Sequence, residues 1–127
     1  MIKDELQEIQ SYLEITLSED PNEAIDRGNT LSVYIARTGK ILADAKCDLD
    51  KKMASEIVSQ IAEAAKKIEW LSSKAVNTIV DSLCAEERFI VNWTERLNRT
   101  ATHQLDWCRT LVSKAKADQY YSSGVRG

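Results

Sequence analysis

Apolar residues recur every three or four positions from the start of the chain: Ile2, Leu6, Ile9, Leu13 and Leu17. That spacing predicts an amphipathic helix over 2–17. It stops at "SEDPNEA", where Asp20 is placed to cap, Pro21 suits a first helical position and Glu23 completes a capping-box pattern. A second helix is predicted over 21–70. Leu31, Ile35, Thr38, Leu42, Ala45 and Leu49 step by four and three in a heptad register. Met53, Ile57 and Ile61 then step by four, as in a stutter, before Ala64, Ile68 and Leu71 restore the repeat. Gly28 and Gly39 each cost about 1 kcal/mol relative to alanine and are read as close-contact positions, with a break near Gly28 left open. At "WLSSKAV" the chain turns, with Ser72 as N-cap and Leu71 and Val76 at the spacing of a hydrophobic staple. A third helix follows over 73–120, then a flexible tail over 122–127.

The second and third predicted helices are nearly equal in length, about 70 Å at ~1.5 Å per residue, which suggests an antiparallel hairpin. The expected fold is therefore all-α: a single helical domain over 1–121, made of a short N-terminal helix and a long two-helix hairpin. On the third helix, Ile79, Leu83, Ile90, Leu97, Ala101, Cys108, Val112 and Ala115 form the hairpin seam. A neighbouring face carries Phe89, Trp93, Arg96, Thr100, His103, Trp107, Leu111 and Lys114. An apolar sector this wide is usually covered by more than one partner helix. Phe89, Trp93, Thr100, His103, Trp107 and Leu111 are thus the expected interface of a homo-oligomeric bundle or ring.

Composition agrees with helices: only four Gly and one Pro occur in 127 residues, too few turn formers for many hairpins. The net charge of −3 is unevenly spread. The first 26 residues hold Lys3 against eight carboxylates, an acidic leader expected to mask a mildly basic body. Cys47, Cys84 and Cys108 are odd in number and form no CxxC pair, which reads as free thiols in a reducing cytoplasm. No signal-peptide pattern or membrane-length apolar run is visible, so a soluble cytoplasmic protein is expected.

Candidate chemistry is sparse. His103, the one histidine, has no Cys or carboxylate at ligand spacing, so a structural role is expected and no metal site. Glu86 and Glu87 are adjacent and diverge by ~100° on a helix, which prevents them from flanking one substrate atom. No Gly-rich phosphate loop, HExxH or nucleophile motif exists, so neither an enzyme nor a cofactor is expected. Thr94, Asn98 and Thr102 repeat every four residues and are candidates to bond across helices. Arg96, Arg99, Arg109, Lys114 and Lys116 lie near Trp93 and Trp107, and aromatic faces beside cations are how single-stranded nucleic acid is held. The same pairing also serves protein interfaces.

The stretches "LSVYIARTGKILADAKCDLDKKMASEI" and "LSSKAVNTIVDSLCAEERFIVNWTERLNRTATHQLDWCRTLVSKAK" resemble, in layout, the UvsY-type recombination mediators of tailed phages. The likeness covers about residues 27–118: a long helix with an early Leu31–Tyr34 pair, a break, and a Trp- and Cys-containing helix ending in a basic region. It implies a homo-oligomeric ring that binds single-stranded DNA and loads a recombinase, with Arg96, Arg99, Arg109, Lys114 and Lys116 on phosphate. The competing expectation is a phage or bacterial interaction protein, an adaptor or host-protein inhibitor presenting its acidic first helix. A third is a small-nucleotide sponge holding its ligand against Arg96 or Arg99.

Overall fold

A computed structural model of the chain describes residues 1–125, with side chains through residue 122. Among them are five helices and no strand: α1 (Ile2–Leu13), α2 (Pro21–Met53), α3 (Glu56–Lys66), α4 (Ser73–Leu83) and α5 (Ala85–Val125). The long α2 and α5 pack as a hairpin-like pair, the arrangement expected from the nearly equal lengths of the predicted second and third helices. Residues 1–39 with the chain from 95 onward form one compact unit, and residues 40–94 a second.

In the first unit Leu6, Ile9 and Leu13 of α1 are buried together with Ala24 and Leu31 of α2 and Leu97, Ala101 and Cys108 of α5. Each fully buried Leu or Ile contributes about 1.5–3 kcal/mol, so α1 is part of the core and not a detachable acidic mask. It ends at Leu13, four residues before the predicted end at Leu17. Its C-terminal carbonyls are claimed by α2 and α5. The Arg27 Nη2 donates to the Tyr12 O and Ile15 O, both at 3.2 Å, and Gln104 Nε2 donates to the Leu13 O at 2.8 Å. Arg27 also donates to Gln104 Oε1 at 2.7 Å and sits 4.4 Å from the Tyr12 ring centroid. A cation at a helix C-terminus completes bonds that the last turn leaves open and complements the helix dipole. Nearby, Arg37 holds both oxygens of Glu5.

The α2 N-terminus forms as its sequence indicates. Asp20 Oδ1 accepts the Asn22 N–H at 3.0 Å and Pro21 opens the helix. The Asp20 N–H goes to Ser18 Oγ instead of to Glu23. Gly28 and Gly39 both sit within an unbroken α2. A Cβ on Gly28 would meet Leu105 Cδ1 at 3.5 Å, an ordinary contact, and a Cβ on Gly39 would meet nothing within 4 Å. Gly39 is therefore not a close-contact position.

Two breaks divide what the pattern predicts as two uninterrupted helices. The 21–70 helix ends at Met53, and Ser55, in extended backbone, caps α3 by accepting the Val58 N–H. The buried stripe moves with it. Val58 and Ala65 are 3% and 6% exposed, whereas the expected seam residues Ile57, Ile61 and Ile68 are 70%, 36% and 39% exposed. The 73–120 helix starts where Ser72 caps it, accepting the Ala75 N–H at 3.1 Å, but breaks at Cys84. That residue is fully buried, outside helical geometry, and its carbonyl accepts the Arg88 N–H as α5 begins. Arg88 Nη2 reaches back to Asp81 Oδ1 at 3.2 Å across the break. In this second unit Ile41, Ala45, Val58, Ala65, Val76, Cys84 and Val91 make the core, and Lys52 of α2 pairs with Glu87 of α5 at 3.6 Å. The expected tail begins inside α5, which continues to Val125; its residues 126–127 lie outside the described chain.

Replacing Arg27 by Ala should destabilise the protein by about 3 kcal/mol in urea unfolding, because charged hydrogen bonds to several carbonyls disappear together. Gly39→Ala should raise stability by about 1 kcal/mol in the same measurement, since the helix gains propensity with no steric conflict. Hydrogen bonds from Arg37 hold the Glu5 carboxyl below its ordinary value of 4.5. A depressed folded value gives stability that is complete above about pH 4.5 and is lost as the pH falls through the folded value. Thermal melts below pH 4.5 should therefore drop less for Arg37→Gln than for the parent chain.

Candidate nucleic-acid interface

The sequence singles out five cations on α5, and the structure distributes them over separate surfaces. Arg109 and Lys116 line an open groove of about 460 Å³ between the first turns of α2 and the C-terminal half of α5. Its floor is apolar: Ala24, Ile25, Gly28, Leu105 and Val112. Asn29, Ser32 and Ser113 supply uncharged hydrogen-bonding groups along it. No carboxylate lines this groove. The nearest acid known to touch its cations is Asp106, whose Oδ1 lies 3.8 Å from Arg109 Nη1, with both side chains well exposed. An exposed pair of that kind is weak and exchanges readily for another anion.

Lys114 belongs to a second groove, of about 470 Å³, with Trp107, Leu111, Thr110, Pro21 and Ala115. Glu19 and Asp118 line it too, so its charge is net negative. Arg96 and Arg99 are exposed and line neither groove, and Arg99 Nη2 sits 3.5 Å from Glu95 Oε1 in the preceding turn. Two of the five expected phosphate contacts thus converge with each other, one joins a tryptophan, and two stand apart.

The expected interface residues fall into two groups by unit. In the second unit Phe89 and Trp93 stack at 5.6 Å between centroids, and Phe89 is 52% exposed. In the first unit Trp107 is 44% exposed, Thr100 and His103 face solvent, and Leu111 is half-buried. This face is open to a partner in both places.

Of the polar repeat Thr94, Asn98 and Thr102, only the middle member crosses between helices. Asn98 Nδ2 donates to Thr38 Oγ1 at 2.9 Å and to the Ile35 O at 3.1 Å, while Thr94 and Thr102 donate to carbonyls one turn back in α5. Thr38 is fully buried and itself donates to the Tyr34 O at 2.7 Å. Sequence reading missed Arg27 and Gln104 as a pair. Their signal was an arginine directly after a run of acids, which pattern analysis counts only as charge.

Two of the three cysteines, Cys84 and Cys108, are buried. Burial pushes the Cys108 thiol above its ordinary value, outweighing the nearby Arg27 charge. Cys84 is buried and Cys47 is exposed, all three as free thiols. Among the described residues no group of three or more His, Cys, Asp or Glu side chains is placed to hold a metal ion, and no helix is long and apolar enough to cross a membrane. No protein-family model, curated protein or solved structure matches the chain.

Proposed function

We propose that this chain is a non-enzymatic binder of single-stranded nucleic acid, working as a recombination mediator of the kind its helical layout resembles. One observation carries the reading: the α2–α5 groove presents Arg109 and Lys116 with Asn29, Ser32 and Ser113, and no carboxylate in its lining. A sugar–phosphate backbone fits such a track. Cations neutralise phosphates, amide and hydroxyl groups bond to sugar and phosphate oxygens, and the apolar floor accepts sugar faces. Trp107 with Lys114 offers a separate stacking position. Arg96 and Arg99 contribute field more than contact.

A second reading, a protein-binding adaptor, is favoured by a different observation. Neither unit carries net positive charge: the eight carboxylates of residues 4–26 stand in the first unit with the α5 cations, and the second unit holds nine Asp and Glu against eight Lys and Arg. Long-range attraction of nucleic acid is then weak, and contacts must be local.

The two readings separate on a salt series. In fluorescence anisotropy with a labelled oligonucleotide, Arg109→Ala with Lys116→Ala should weaken binding about tenfold. It should also reduce the slope of log K against log salt by about 1.4, from the loss of two phosphate contacts. Arg96→Ala with Arg99→Ala should change both much less. Salt-independent affinity, or equal effects of the two double variants, rejects the groove as a phosphate track. A parent chain that does not bind the oligonucleotide but captures a helical peptide supports the adaptor.

A further inference from the structure

We infer that α3 is a self-association surface: a second copy of this chain docks on it antiparallel, about a two-fold axis near Ile61. Ile57, Ile61 and Ala64 step by four and three along α3, and Ile68 follows one turn on. Ile57 is 70% exposed and Ile61 36%, while Val58 and Ala65, on the flank turned inward, are 3% and 6% exposed. The helix therefore carries two apolar stripes, of which its own unit covers one. Such a sector on a short helix is the form of a helix–helix interface left open.

The charges beside the open stripe select the occupant. Glu56 and Lys67 both flank it, lining a shallow groove with Ser59, Gln60, Glu63 and Ala64. Glu56 lies five residues before Ile61 and Lys67 six after it. Antiparallel pairing through a two-fold axis at Ile61 sets Glu56 of each copy against Lys67 of the other, so every ion pair forms twice. Glu56 and Lys67 lie on the same flank of the stripe, and the same flanks of two copies meet when the helices run antiparallel, whereas parallel pairing sets each flank against the opposite one and brings Glu56 no Lys67. Among the described residues Glu56 accepts from Gln60 Nε2 at 3.3 Å and Glu63 pairs with Lys66 at 3.8 Å, while no ion pair is formed between Glu56 and Lys67 within one chain. Ala64, on the stripe itself, is small enough for the two helices to approach closely. This assignment is independent of the nucleic-acid reading.

Sedimentation of the full-length chain across micromolar concentrations tests it, with circular dichroism to verify helix content. The parent should form a dimer. Ile57→Asp, at an exposed position that leaves the core alone, should weaken it at least about a hundredfold, since the change is felt twice. Lys67→Glu should weaken it about tenfold, and adding Glu56→Lys to Lys67→Glu should restore it, because the swapped charges again meet their opposites. A parent that stays monomeric at ~100 μM overturns the inference. So does a Glu56→Lys, Lys67→Glu chain that associates no better than Lys67→Glu alone. Trp107→Ala should leave this dimer intact, and loss of the dimer in that variant would move the interface to α5.

Discussion

The carbonyl oxygens at the end of α1 are the constraint from which the first unit is built. A helix leaves its last carbonyls without intrahelical donors, and near a packed core these need partners. Arg27 and Gln104 supply them from two other helices, and they also hold each other. Three segments far apart in sequence are thereby fixed at one point. The apolar residues Leu6, Ile9 and Leu13 then have one place to pack, and α1 is held in register along α2 and α5. Asn98 and Thr38 make a comparable demand between α2 and α5. A half-buried amide bonded to one specific buried hydroxyl disfavours sliding of one helix along the other.

These polar fixtures explain what the sequence discloses and what it hides. Apolar periodicity states which residues seek burial, so Leu31, Thr38, Ala45, Leu97, Ala101 and Cys108 were legible as seam positions. The caps at Asp20 and Ser72 were legible too, because a cap acts through neighbours within three residues. The breaks at Ser55 and Cys84 were not. Ser55 stands in a run of good helix formers, and the four-residue steps around it mimic a stutter; the bend arises because Val58 and Ala65, and not Ile57 and Ile61, find a core. Cys84 resembles any small apolar residue of a stripe until its backbone is seen to leave the helix. Tertiary packing outranks local propensity at both places.

The candidate site follows the same division. That α5 is rich in cations near tryptophans was legible; which of them share a groove was not. At ~100° per residue, Arg109 and Lys116 fall on the side of α5 turned to the start of α2, and Lys114 on another. The decisive partners, Asn29 and Ser32, come from α2, some eighty residues earlier, and were ordinary polar positions in the sequence. A groove is a property of two helices, whereas periodicity describes one.

The charge distribution gives the surfaces different physical characters. With neither unit net positive and the net charge small, copies of the chain approach one another without a strong repulsive field, and the association inferred for α3 would be governed by its apolar area and sign pattern. The proposed anion contact would instead depend on the local geometry of the α2–α5 groove, whose lining contains no carboxylate. Raising ionic strength screens the second interaction strongly and leaves apolar burial largely intact. The proposed assembly and the proposed phosphate contact involve distinct residues, and salt should weaken the second more than the first. A protein built this way would remain assembled under conditions in which it has released an anionic strand.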